Sequence, residues 1–102
     1  MMRELYILLG AANIARELTD GLRAFAIAVA ASDIEWNEGR GLFPTPERLQ
    51  LAVRRHEASP VIRMLKREDV ADAAWRITKD VREQIQELVI QCVLEASTHR
   101  IS

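Results

Sequence analysis

Apolar positions recur along this chain with a helical period in two long tracts. Ile7, Ala11, Ile14, Leu18, Leu22, Phe25 and Val29 follow one another at spacings of three and four, and from Arg3 to about Asn37 only Gly10 and Gly21 stand among better helix formers. The two glycines lie close to three turns apart and so share a face. This pattern predicts one long first helix over residues 3–37. The second tract, Val70, Ala74, Ile77, Val81, Ile85, Leu88 and Cys92, predicts a last helix over 68–96, with Glu68 and Asp69 in its favourable first turn. Between them Pro46, preceded by a capping Thr45, predicts a middle helix over 46–58 that stops before Ser59-Pro60. Asp33 to Thr45 reads as the connection, with the loop proper at 38–45, where Gly39, Gly41 and Pro44 are turn-formers. No strand-like alternation is read, so the expected fold class is all-α, a single helical domain over residues 1–102.

The length of the first helix bears on assembly. At 1.5 Å per residue it would reach roughly 50 Å, whereas a globule of this size has a radius of gyration near 13 Å, about a quarter of that length. One copy cannot cover such a stripe, and the expectation is a homodimer in which first helices lie together, with Ala and Gly allowing close approach.

Composition adds little to this picture and removes several classes. A chain of 102 residues, 49% hydrophobic with a net charge of −1, has the composition of a globular domain and not of a disordered one. Twelve of the fourteen basic residues are Arg, and codon bias, as in a GC-rich bacterial genome, is the plainest explanation to expect. Charge is uneven: residues 1–38 sum to −3, residues 39–67 to +5 and residues 68–102 to −3. The basic middle could attract an anionic small molecule or nucleic acid, or could be a solvated face. The apolar run from Ala24 to Ala31 falls well short of the roughly 20 residues a membrane span needs, and no signal peptide is read, so a cytoplasmic location without membrane contact is expected. Cys92 is the sole cysteine and sits on the apolar stripe, as a core residue would. Asp33, Glu35, Glu38 and His56 lack the helical spacing of a metal site, and His56 and His99 read as surface residues, so neither metal nor cofactor is expected.

Two stretches carry a resemblance. Phe43-Pro44-Thr45-Pro46-Glu47-Arg48 resembles the Pro-x-Pro-Glu-Arg segment of the isochorismate pyruvate lyases of salicylate biosynthesis, and Ile77 to Ile85, ending in Glu83-Gln84-Ile85, resembles the glutamine-bearing third helix of the wider AroQ-type chorismate mutases. In architecture the likeness runs over residues 3–96, in sequence over about 43–86. It implies an intertwined three-helix homodimer that binds chorismate, isochorismate or a related small carboxylate and rearranges or cleaves it without a covalent intermediate. Arg48 matches the family's arginine at the start of the second helix, and Gln84 the glutamine facing the ether oxygen of the substrate; these are the expected catalytic pair. Both types suit the task, since Arg holds a carboxylate through two hydrogen bonds and an amide donates to an oxygen gaining negative charge.

Counted back from Arg48 without a gap, the family's two first-helix arginines and its lysine fall at or near Leu8, Phe25 and Trp36, none of them basic. The expected pocket is therefore either rebuilt around Arg23 and Arg40 or lined by Leu8, Phe25 and Trp36, with Val81 on the last helix as a further wall. Two alternatives stand beside it. One is a non-catalytic interaction module. The other is a helix-turn-helix, with Leu65 to Ala74 as its first helix and Thr78 capping a second; Trp75-Arg76 replaces the usual turn glycine, and Lys79 to Glu87 carries three acids against two bases, a charge that opposes a nucleic-acid partner.

Overall fold

The computed structural model describes residues 2–55 and 59–101, with side chains described from residue 3 to residue 96. Six regular elements follow in chain order: α1 (Met2–Arg23), β1 (Ile34–Trp36), β2 (Arg48–Val53), β3 (Val61–Lys66), α2 (Arg67–Asp72) and α3 (Lys79–Ile101), with single 3-10 turns at Ala31–Asp33 and Asn37–Gly39. The strands form an antiparallel meander in the order β1-β2-β3, and all three helices lie on one of its faces. The all-α expectation and the three-helix bundle are thus overturned: the chain is a two-layer α and β structure.

The middle helix is where the reading fails first. Residues 48–53 alternate Arg-Leu-Gln-Leu-Ala-Val, and this period of two puts Leu49, Leu51 and Val53 on the face toward the helices. In β3, Val61, Arg63 and Leu65 repeat the alternation and stand directly opposite Val53, Leu51 and Leu49. A helix through the same residues would have spread these apolar side chains around its girth. The pair of strands buries them on one side, which outweighs the helix-start signal of Thr45-Pro46. The end of the expected middle helix, including His56, lies outside the described residues.

The long first helix stops at Arg23. Ile27 N–H donates to Leu22 O (3.0 Å) and Ala26 N–H to Arg23 O (2.9 Å), with Ala26 in the left-handed region at φ 60°. This is a Schellman ending made without glycine, and it is held by burial, since Leu22 and Ile27 both join the core. With 22 residues α1 fits the globule, and Ile7, Ala11, Ile14, Leu18 and Leu22 are covered within one chain, each 2% exposed or less. Phe25 falls beyond the helix and is exposed. A helix of this length does not need a second copy to cover its stripe.

The last helix is two. The carbonyls of Ala73 and Ala74 accept from the Asn13 side chain at 2.8 and 3.3 Å, and Thr78 Oγ1 accepts from Val81 N–H at 3.4 Å to open α3. Thr78 therefore marks the break at the place the helix-turn-helix segmentation put it. The apolar stripe is nonetheless real, because Val70, Val81, Ile85, Leu88 and Cys92 are buried and Ala74 and Ile77 half-buried. Gly10 allows α1 and α2 to touch backbone to backbone: a Cβ there would come within 1.7 Å of Val70 O. The close approach expected between copies is used inside one copy. No helix of the described residues is long and apolar enough to cross a membrane.

Candidate functional site

The helices cover the inner face of the sheet and leave the outer face open around Arg48, Met64 and Lys66, whereas Ala52, 4% exposed, is covered. Strand alternation directs Arg48, Gln50 and Ala52 of β2, and Ile62, Met64 and Lys66 of β3, to that outer side, in the cross-strand pairs Arg48 with Lys66, Gln50 with Met64 and Ala52 with Ile62. Met64 is 49% exposed and Ile62 39%.

Residues 37–46 build a wall beside this face. Asn37, Glu38, Gly39 and Gly41 all have φ between 54° and 85°, so the chain turns back sharply after β1. The Asn37 side chain fixes the turn from both ends, its Nδ2 donating to Gly41 O (2.8 Å) and its Oδ1 accepting from Gln50 N–H (2.9 Å). Asn suits this position because it tolerates a left-handed backbone and carries both a donor and an acceptor. Thr45 Oγ1 donates to Leu42 O (2.7 Å), and the Phe43-Pro44 peptide is cis. Between wall and sheet lies an open groove of about 470 Å³, bounded by Arg40, Phe43, Thr45, Arg48, Gln50 and Met64 among others.

Charge on this side is only partly matched. Arg54 Nε lies 3.3 Å from Glu35 and Arg40 Nη2 lies 3.8 Å from Glu38. Arg48 and Lys66 have no carboxylate at ion-pairing distance among the described residues, and Glu47 pairs with neither.

The residues expected to form one pocket are dispersed. Arg40 and Arg48 share the outer groove, although the Arg40 side chain is 82% exposed. Leu8 and Trp36 line a second groove of about 430 Å³ between α1 and β1, together with Ala12, Ala15 and Leu42. Phe25 lines a third, of about 460 Å³, between α1 and α3. Arg23 is exposed at the end of α1, Val81 is a core residue, and Gln84 is half-buried on α3. Arg48 stands on the outer face of the sheet and Gln84 belongs to the layer against its inner face, so the two do not converge. Met64, Lys66, Asn37 and Gln50 were missed; reading 48–53 and 61–66 as alternating strands would have brought Lys66 and Met64 beside Arg48.

Elsewhere the chemistry is sparse. Burial pushes the Cys92 thiol up, Arg55 pulling it back in part, and the thiol is enclosed in the core. No polar or charged side chain is buried, and no group of three His, Cys, Asp or Glu is placed to hold a metal, among the described residues. No family model, curated protein or solved structure matches this chain.

Proposed function

We propose that this domain works by binding and not by catalysis, docking a partner on the outer face of its sheet and the adjoining 37–46 wall. The observation that carries this reading is the uncovered sheet face itself, where Ile62, Met64 and Phe43 remain exposed beside a groove edged by Arg40 and Arg48. Within one chain Arg48 and Gln84 lie in different layers, which favours binding at the sheet face over a site built on that pair. A photo-crosslinking side chain at Met64 tests the reading, with one at Ile90 on α3 as control, both chains checked by circular dichroism. A discrete adduct confined to the Met64 position is expected; equal labelling at both, or none at Met64, overturns it.

Homodimerisation through α1 is a second reading, favoured now by a different observation. Leu5, Leu8 and Leu9 are each 45–51% exposed on one side of α1, and Leu8 continues into the groove lined by Ala12, Ala15 and Trp36. Sedimentation at micromolar concentration tests it: Leu8→Glu is expected to convert a dimer to a folded monomer, and a parent chain already monomeric sinks it.

A further inference from the structure

Arg48 and Lys66 are direct cross-strand partners on the outer face, at the end of β2 and β3 that borders the groove. Side chains in such a pair are about 5 Å apart at Cβ, and like charges placed so repel. Three other cations of the sheet and its wall are matched: Arg54 by Glu35, Arg40 by Glu38, and Arg63 by Glu87 of α3 at 3.7 Å. The Arg48–Lys66 pair has no such match among the described residues, and it sits in the stretch 39–67 that carries +5. Beside it, Met64 and Phe43 are 49% and 43% exposed and form the apolar side of the groove.

Resting on the outer face as the docking surface, we propose that its occupant is a protein segment bearing an Asp or Glu whose carboxylate bridges Arg48 and Lys66, with a neighbouring apolar side chain seated between Phe43 and Met64. A carboxylate has two oxygens, so it can accept from the guanidinium and the ammonium together and remove their repulsion. Its apolar neighbour covers surface that water now wets. A nucleic acid matches the two cations but little else: Glu35, opposite Ala52, and Glu38, in the groove, stand on the same side and oppose a run of phosphates, and a phosphate backbone gains nothing from Met64 and Phe43.

The test is fluorescence anisotropy with the full chain and a labelled twelve-residue peptide of alternating Leu and Glu. Comparators are the same peptide with Gln for Glu, succinate as competitor, and a labelled DNA duplex. The Glu peptide is expected to bind saturably and about tenfold more tightly than the Gln peptide, since a charge-assisted hydrogen-bond pair is lost between them. Arg48→Gln with Lys66→Gln should bring the Glu peptide down to the Gln level, and Arg48→Glu with Lys66→Glu should transfer preference to a Leu and Lys peptide. Equal binding of Glu and Gln peptides keeps the docking face and overturns the carboxylate assignment. Binding of neither, with no adduct at Met64, overturns both. Succinate displacing the peptide at equal concentration reassigns the cations to a small dicarboxylate, and duplex bound more tightly than peptide reassigns them to nucleic acid; either result overturns the proposal.

Discussion

The two faces of the sheet are made from the same strands and are subject to different constraints. On the inner face, Leu49, Leu51 and Val53 are each 1% exposed or less and Leu65 is 3% exposed; the charged residue there, Arg63, is matched by Glu87. On the outer face stand Arg48, Gln50, Ala52, Ile62, Met64 and Lys66; Ala52 is covered, but Ile62 and Met64 leave apolar surface wet and Arg48 and Lys66 face each other. The inner face is explained by folding alone, because removing its side chains from water stabilises the chain. The outer face gains nothing for folding from an exposed Met64 or an unmatched Arg48–Lys66 pair. That asymmetry separates what this domain needs in order to stand from what its folding does not account for.

The largest effect that sharpens this contrast is expected at the α1–α2 contact of the inner layer. Gly10→Ala places a Cβ within 1.7 Å of a backbone oxygen, which no rotamer change can relieve, so the helices must separate. A loss of about 3 kcal/mol or more is expected from such overpacking, read by thermal or urea denaturation. A variant as stable as the parent would mean that the two helices do not touch as described.

A matched pair of truncations tests the faces directly. Leu51→Ala, at a position 1% exposed, should cost about 2–5 kcal/mol through lost burial and a residual cavity. Met64→Ala, on the outer side of the same sheet, should change stability by about 0.5 kcal/mol or less. Comparable losses at the two positions would break the comparison and show that something covers the outer face.

A smaller effect bears on how the helical layer is cut. Thr78→Ala removes the hydroxyl that accepts from Val81 N–H and should cost about 1 kcal/mol in urea denaturation, whereas Thr78→Asn or Thr78→Asp should retain most of the stability. An unchanged midpoint for Thr78→Ala would mean that α3 does not depend on this cap.

Much of the inner layer was legible in the spacing of apolar residues. Ile7 to Leu22 and Val81 to Cys92 are core residues, as their period of three and four requires, and Cys92 is enclosed as its place on the stripe implied. The element boundaries were not legible from that period, because it does not register a long-range capture such as Asn13 on the Ala73 and Ala74 carbonyls, sixty residues away in sequence. The strands were hidden for a different reason. Thr45-Pro46 is a valid helix opening, and the Arg-Leu-Gln-Leu alternation behind it spans few residues, so the local signal favoured the wrong element until β3 supplied its partner. Of the candidate site, Arg40 and Arg48 share a groove, while Leu8 and Trp36 line a second, Phe25 a third, and Gln84 and Val81 lie on α3, so the positions taken from the family resemblance are not brought together within one chain.

A small net gain is expected at the end of α1, where the first stripe is terminated and the chain turns toward the sheet. Ala26 takes φ 60°, a region in which its Cβ crowds the following carbonyl oxygen and which glycine enters freely. The inner layer compensates by burying Ile27, 7% exposed, in the same core as Leu22. Ala26→Gly relieves the crowding and at the same time gives the unfolded chain more freedom, two effects of opposite sign. Because the native residue is already left-handed, relief should prevail, and a net gain of about 0.5–1 kcal/mol is expected by urea denaturation. Ile27→Ala should remove the compensation and lose about 2 kcal/mol or more. If Ala26→Gly instead destabilises the chain while Ile27→Ala is neutral, α1 does not end in this turn, and the division between a buried helical layer and an open sheet face would have to be redrawn from its first element.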